Sequence, residues 1–164
     1  MRLFASTDLG VRILVYMAAS PRPRVTIAEM NECYNVKPSA YKGPLKTLIT
    51  NDIVHSYTGR GGGYSLKRDP TKLTLGEVIN LLEGDFNLVP WIEAADETGV
   101  IQHPNSVYRF ALIHAKAAFF KQLDHYSIAE IAADPYTQEA LKIGHLSRLR
   151  RNENASGSPS SVRR

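Results

Sequence analysis

Thr26-Ile27-Ala28-Glu29-Met30, then Asn35-Val36-Lys37-Pro38-Ser39, then Ile53-Val54-His55-Ser56-Tyr57-Thr58-Gly59-Arg60-Gly61-Gly62-Gly63-Tyr64-Ser65-Leu66 are three pieces whose order decides the fold. Thr26 with Glu29 three residues on is a capping box, in which each side chain bonds the other's backbone amide at a helix start. Ile27, Met30 and Tyr34 recur at i, i+3 and i+7, so one side of this helix is apolar and faces a core. Val36 is the apolar turn residue that packs inward. Pro38 suits the first position of a second helix, where its missing amide costs nothing. That helix is predicted from about Ser39 to Thr50, with Leu45, Leu48 and Ile49 buried and Ser39, Tyr41, Lys42 and Lys46 pointing elsewhere. Gly43-Pro44 falls inside it, and an internal proline removes a backbone hydrogen bond, so the helix is expected to be bent or shorter than the pattern suggests. The glycine-tipped hairpin completes a winged helix-turn-helix, a module whose second helix can enter the major groove of DNA.

At 164 residues the chain fits one domain, or a small domain with a dimerisation arm. No apolar run approaches the ~20 residues of a membrane-spanning helix, and the start Met1-Arg2-Leu3-Phe4-Ala5-Ser6-Thr7-Asp8 shows no signal peptide. A cytoplasmic protein without a membrane partner is expected. The single cysteine, Cys33, excludes an intrachain disulfide and a Cys-only metal site within one chain. Charge is segregated: residues 1–68 carry ten Lys/Arg against four Asp/Glu, residues 69–147 five against eleven, and residues 148–164 five against one. The basic winged half would attract phosphates, and the acidic middle would not.

A first helix is predicted from Ser6 or Thr7 to Ala19, with Leu9, Ile13, Tyr16 and Met17 along one face and Ser20-Pro21-Arg22-Pro23 ending it. After the hairpin, Thr74-Leu75-Gly76-Glu77 reads as a second capping box, opening a helix that ends at Gly84. Phe86 to Pro104 has no clear period and reads as a loop, and such long irregular segments are usually functional or mobile. From about Asn105 to Asp124 the chain is strongly helical. Tyr108, Leu112, Ala115, Phe119 and Leu123 form a stripe that Phe110, Ile113, Ala117 and Phe120 widen. So wide an apolar surface exceeds what a small winged domain covers, and a partner helix, hence a homodimer, is the expected solution. Ser127-Ile128-Ala129-Glu130 is a third capping box, starting a short helix to Ala133, and Pro135 to Arg151 is also read as helical. The division is thus 1–84 for the winged helix-turn-helix, 85–104 for a sensor-type loop, 105–150 for the dimerisation helix and C-terminal segment, and 151–164 for a disordered tail. The fold class is mainly α with a small β wing. No Walker-type loop, nucleophile elbow or metalloprotease helix occurs, and the glycines at 59–63 join two strands instead of opening a helix, so an enzyme is not expected.

These residues resemble a family of bacterial winged-helix regulators that includes the iron–sulfur cluster regulator IscR and the nitric-oxide-sensitive repressor NsrR. Met1-Arg2-Leu3 with Thr7-Asp8-Leu9-Gly10-Val11-Arg12 looks like the family's first helix, and Gly59 with Gly61-Gly62-Gly63-Tyr64-Ser65-Leu66 like its wing. Leu75-Gly76-Glu77-Val78-Ile79 and Leu123-Asp124-His125-Tyr126-Ser127-Ile128-Ala129-Glu130-Ile131 match the segments beyond, so the likeness covers about residues 1–133. It implies a DNA-binding dimer. Cluster-holding members place three cysteines before the dimerisation helix, where this chain has Trp91, Val100 and Ser106, so a conventional cluster is not expected. Some members use an acidic residue of the first helix as a cluster ligand, and Asp8 resembles it. The family's usual arginine just before the first wing glycine is Thr58, with Arg60 two residues later.

The expected function is that of a homodimeric transcription factor, acting as a repressor on a double-stranded operator. Lys42, Lys46 and Arg60 would contact phosphates or guanines, with Ser39 and Tyr41 near base edges and Gly61, Gly62 and Tyr64 completing the wing surface. No cofactor or metal is expected. The alternative is a ligand- or redox-sensing regulator, with a small-molecule effector or an unusual metal held by the Trp91 to Ser106 region or by Cys33 with Asp8. The plainer reading makes Cys33 an inert, partly buried thiol and Asp8 a charge favourable at a helix N-terminus, while Trp91 reads equally as a pocket lining and as a core plug. His103, His114 and His125 stand eleven residues apart, with no second ligand one helical turn away.

Overall fold

The computed structural model describes residues 3–84 and 106–142. The expected sensor loop with Trp91, Val100 and His103, the side chain of Ser106, and the tail from 151 lie outside the described residues. Helix α1 (Ala5–Ala19) comes first, and α2 (Ile27–Tyr34) opens on the expected capping box. The Glu29 amide donates to the Thr26 hydroxyl at 3.2 Å, while the Thr26 amide donates to the Glu29 carboxylate at 2.7 Å. Burial pushes the Glu29 carboxyl up, but the two Thr26 bonds and the Arg22 guanidinium outweigh it and hold the group below its usual range. A 3-10 turn over Pro38–Tyr41 then leads into α3 (Lys42–Thr50).

The hairpin pairs β1 (Val54–Tyr57) antiparallel with β2 (Gly63–Leu66), Val54 opposite Leu66 and Tyr57 opposite Gly63. Val25 pins the outer edge of β2 by exchanging two backbone bonds with Tyr64, at 2.9 and 2.8 Å. Helix α4 (Leu75–Glu83) follows, then α5 (Ser106–Leu123) and α6 (Ile128–Ala133), and residues 135–142 are helical as expected. The box at Ser127 and Glu130 forms in full. The one at Thr74 is half-formed, which corrects the sequence reading. The Thr74 hydroxyl accepts from the Glu77 amide at 3.1 Å, yet the Glu77 carboxylate turns away to Arg68, at 2.5 and 3.2 Å. That hydroxyl instead donates to Asp124 at 2.6 Å, tying the start of α4 to the end of α5.

One core unites α1 with every element around it. Leu9, Ile13 and Leu14 pack with Met30, Leu45, Leu48, Val54 and Val78, and each such aliphatic side chain contributes about 1.5–3 kcal/mol on burial. Ile128 and Ala132 of α6 lie in the same core. The segment grouped with the dimerisation arm on sequence grounds therefore packs into the winged domain. No described residue of α5 is fully buried, and Val107, Tyr108, Phe110 and Ile113 are exposed, Val107 by 80%. No described helix is long and apolar enough to cross a membrane.

Helices α4 and α5 meet closely at Gly76. A Cβ there would collide with the Asp124 carboxylate and lie 2.9 Å from the Phe120 carbonyl. Gly76→Ala is therefore expected to destabilise the fold by about 1–3 kcal/mol, as overpacking does. Urea denaturation followed by circular dichroism measures it, and an unchanged midpoint would show that α5 does not rest on α4.

Candidate nucleic-acid interface

The recognition element is a 3-10 turn spliced onto a short α-helix, and this resolves the conflict posed by Gly43-Pro44. Because α3 starts at Lys42, Pro44 is its third residue, and amides in the first turn have no partner within the helix. Its missing N–H costs nothing there, and its ring is buried in the core side. Tyr41, Leu45 and Leu48 follow one another at i, i+4 and i+7 and are all buried. Ser39, Lys42, Gly43, Lys46 and Thr50 form the opposite, exposed face.

Tyr41 must therefore be withdrawn as a base-edge contact. It is 0% exposed, and its hydroxyl has no hydrogen-bond partner among the described residues. Burial, with Cys33 adding to it, pushes that hydroxyl up to about 12, so it is neutral and enclosed at any working pH. Ser39, Lys42 and Lys46 remain accessible.

The wing turn is built on left-handed glycines, Gly59 at φ 82° and Gly61 at φ 81°, and the Gly62 amide closes it by donating to the Gly59 carbonyl at 3.0 Å. Arg60 and Gly61 are exposed at the tip, whereas Tyr64 is half-buried against the core. Arg24 also reaches the wing, which the sequence reading missed. Its guanidinium lies 3.8 Å from the centre of the Tyr57 ring and donates to the Gly61 carbonyl at 3.3 Å.

Ion pairing sorts the basic residues into two groups. Arg12 pairs with Asp8 at 2.9 Å, Arg22 with Glu29, Lys67 with Asp52 at 2.7 Å and Arg68 with Glu77 at 2.5 Å. Arg24, Lys37, Lys42, Lys46 and Arg60 have no carboxylate partner among the described residues, as is also true of Lys72, Arg109, Lys121 and Lys142 elsewhere. The first five, all from the basic half of the chain, sit on the turn before α3, on its open face, and at the wing. A surface holding uncompensated cations on a helix face and a neighbouring loop suits a polyphosphate backbone.

Comparisons with known proteins give the family. The family model matching residues 3–134 is Rrf2, described as an iron-dependent transcriptional regulator. The chain belongs to the Rrf2 family. The transcriptional regulator NsrR of Bacillus subtilis (strain 168) is 30% identical over 80% of this chain and 90% of its own length. NsrR of Shouchella clausii (strain KSM-K16) is 23% identical over 86% and 95%. Among solved structures, CymR, the global cysteine regulator of B. subtilis, shares the fold with a TM-score of 0.64 at 20% identity, over 81% of this chain and 97% of that one. T. potens IscR does so with a TM-score of 0.62 at 18% identity, over 80% and 85%. The protein is thus an Rrf2-type DNA-binding transcriptional regulator with a mainly α fold and a small β wing.

The family description carries an iron dependence, and the donors in this Rrf2 chain do not fit a conventional cluster. A cluster commonly takes four thiolates, and each chain has one cysteine. Cys33 is half-buried on α2, and its thiol donates to the Leu141 carbonyl at 3.8 Å. Burial, then the neighbouring Glu32, pushes this thiol up, against the thiolate form that metal binding and redox chemistry need. Asp8 is held by Arg12 on α1, and no hydrogen bond or ion pair joins it to Cys33 among the described residues. No group of three or more His, Cys, Asp or Glu among the described residues is placed to hold a metal ion. His114 and His125 are exposed.

The placement of Tyr41 is directly testable. With its hydroxyl buried and unpaired, Tyr41→Phe is expected to leave DNA affinity unchanged and the melting temperature equal or higher. Tyr41→Ala should cost about 3–5 kcal/mol of stability through the cavity it leaves. A tenfold loss of DNA binding in a fully folded Tyr41→Phe variant would return the hydroxyl to the interface.

Proposed function

We propose that this Rrf2 protein is a homodimeric, sequence-specific repressor that binds its operator through α3 and the wing, without a conventional iron–sulfur cluster. The carrying observation is the exposed face of Ser39, Lys42 and Lys46 together with an exposed Arg60 at the wing tip, whose cations have no carboxylate partner among the described residues. Lys42 and Lys46 are one turn apart, a spacing that addresses successive phosphates or a guanine edge. The dimer reading is supported by the exposed apolar residues of α5, a helix with no fully buried described residue, whose expected seam runs through Tyr108, Leu112, Ala115, Phe119 and Leu123. A two-fold dimer presents two wings and two α3 helices to half-sites about one helical turn apart. Repression follows most simply from occupancy of that operator.

A second reading, regulation by a small effector, is favoured by a cavity of about 590 Å³ between α1, α2 and residues 135–142. Tyr16, Val25 and Leu141 line its apolar part, and Cys33, Gln138 and the Arg22–Glu29 ion pair its polar part. Its size falls in the ordinary range for small-molecule sites.

The test begins with selection of a binding duplex from a randomised library, followed by fluorescence anisotropy over a salt series. Lys46→Ala and Arg60→Ala should each weaken binding by about 1–3 kcal/mol where the contact is to a base, or lower the salt slope by about one where it is to a phosphate. Lys121→Ala on α5 serves as the control and should change little. Equal losses for Lys121 and Lys46 would refute the interface. Tyr108→Asp, exposed within one chain, should yield monomers in light scattering, and a dimer that persists would place the seam elsewhere.

A further inference from the structure

The geometry points to Arg24 as a DNA-backbone contact of the wing, delivered from the loop before α2 and oriented by Tyr57. This rests on the proposed interface and extends it to a residue outside both the recognition helix and the hairpin.

Contacts with the wing fix the guanidinium in place. It stacks 3.8 Å from the centroid of the Tyr57 ring, and it donates one hydrogen bond to the Gly61 carbonyl at 3.3 Å. Tyr57 is itself held, with the His55 ring edge-on at 4.4 Å and the Ser65 hydroxyl donating to its oxygen at 3.4 Å. The loop carrying Arg24 cannot drift away, because Val25 exchanges both backbone bonds with Tyr64. Gly63 permits this approach: a Cβ there would stand 2.8 Å from the Val25 carbonyl and 3.7 Å from the Arg24 Cβ.

Charge and donor count give the ligand. No carboxylate pairs with Arg24 among the described residues, whereas Arg22, two residues earlier, is neutralised by Glu29. A guanidinium has five N–H donors and no acceptor, and one bond to Gly61 leaves most of them unused. Stacking removes much of the rotamer freedom that an arginine otherwise loses on binding. An exposed, preorganised and unneutralised fork beside Arg60 suits a phosphodiester flanking the site read by α3.

The test is a double-mutant cycle on the selected duplex, read by anisotropy over a salt series, with Lys46→Ala as reference. Arg24→Ala should weaken binding about tenfold and lower the salt slope by about one, alike on selected and unrelated duplexes. Arg24→Lys should keep the slope but regain only part of the affinity. Tyr57→Leu should weaken binding about threefold with the slope unchanged, and should add nothing in an Arg24→Ala background. Thermal melts of each variant separate contact from folding, since a purely structural Arg24 would lower the melting temperature and leave the slope intact. An Arg24→Ala variant with wild-type affinity and slope overturns the inference, as does a Tyr57 effect that persists without Arg24. If Lys46→Ala loses affinity while Arg24→Ala does not, this inference alone fails; if neither does, the proposed interface fails with it.

Discussion

Burial of Tyr41, Leu45 and Leu48 against α1 is the constraint on which the DNA-facing surface depends. Those three side chains share one face of the 3-10 turn and α3, so sealing them against Ile13 and Leu14 rotates the remaining residues outward. The direction in which Lys42 and Lys46 point is therefore set by apolar packing and not by electrostatics. Each buried leucine contributes about 1.5–3 kcal/mol, whereas an exposed lysine contributes little to folding, so the core decides and the charges follow. Pro44 takes part in this. Placed in the first turn, it fills the core side without breaking a hydrogen bond, which a proline one turn later would do.

Around that axis, ion pairs act by subtraction. Arg12, Arg22, Lys67 and Arg68 each meet a carboxylate, and the exposed pairs of Arg12, Lys67 and Arg68 add little stability. Their effect is to leave the positive potential of residues 1–68 concentrated on the turn before α3, its open face and the wing. With a Debye length of about 8 Å in physiological salt, only phosphates brought close to those cations feel them strongly. The acidic stretch 69–147 lies on the other side of the charge division and would be repelled by a duplex.

Local rules carried most of the legible fold. The boxes at Thr26 and Ser127, the glycine-rich hairpin and the 3.6-residue spacing of α1 could all be read from the chain, because each depends on residues within a few positions of one another. What escaped depends on partners distant in sequence. Glu77 looked like a capping residue and serves Arg68 instead, while Thr74 spends its proton on Asp124, fifty residues away. Arg24 carried no signal, since its role needs the register that places Tyr57 opposite Gly63 and Gly61 beside the loop. Tyr41 is different. Its i, i+4, i+7 relation to Leu45 and Leu48 was visible, and choosing Ile49 over it misassigned a core residue to the surface.

The link between α5 and the winged domain determines how a dimer would read DNA. Besides the Thr74–Asp124 bond, the Leu75 amide donates to the Tyr126 carbonyl at 2.8 Å and the Ile128 amide to the Leu73 carbonyl at 2.9 Å. These bonds fasten the C-terminal end of α5 to the start of α4, and α6 buries Ile128 and Ala132 beside α1. The helix that would pair the two subunits is thus joined to the core that orients α3, not carried on a flexible linker. Rotation of α5 about its partner would therefore be passed to α3 and the wing as a rigid-body movement, changing the separation of the two recognition helices. Operator spacing tolerates little such change, since half-sites must stay in phase with the double helix.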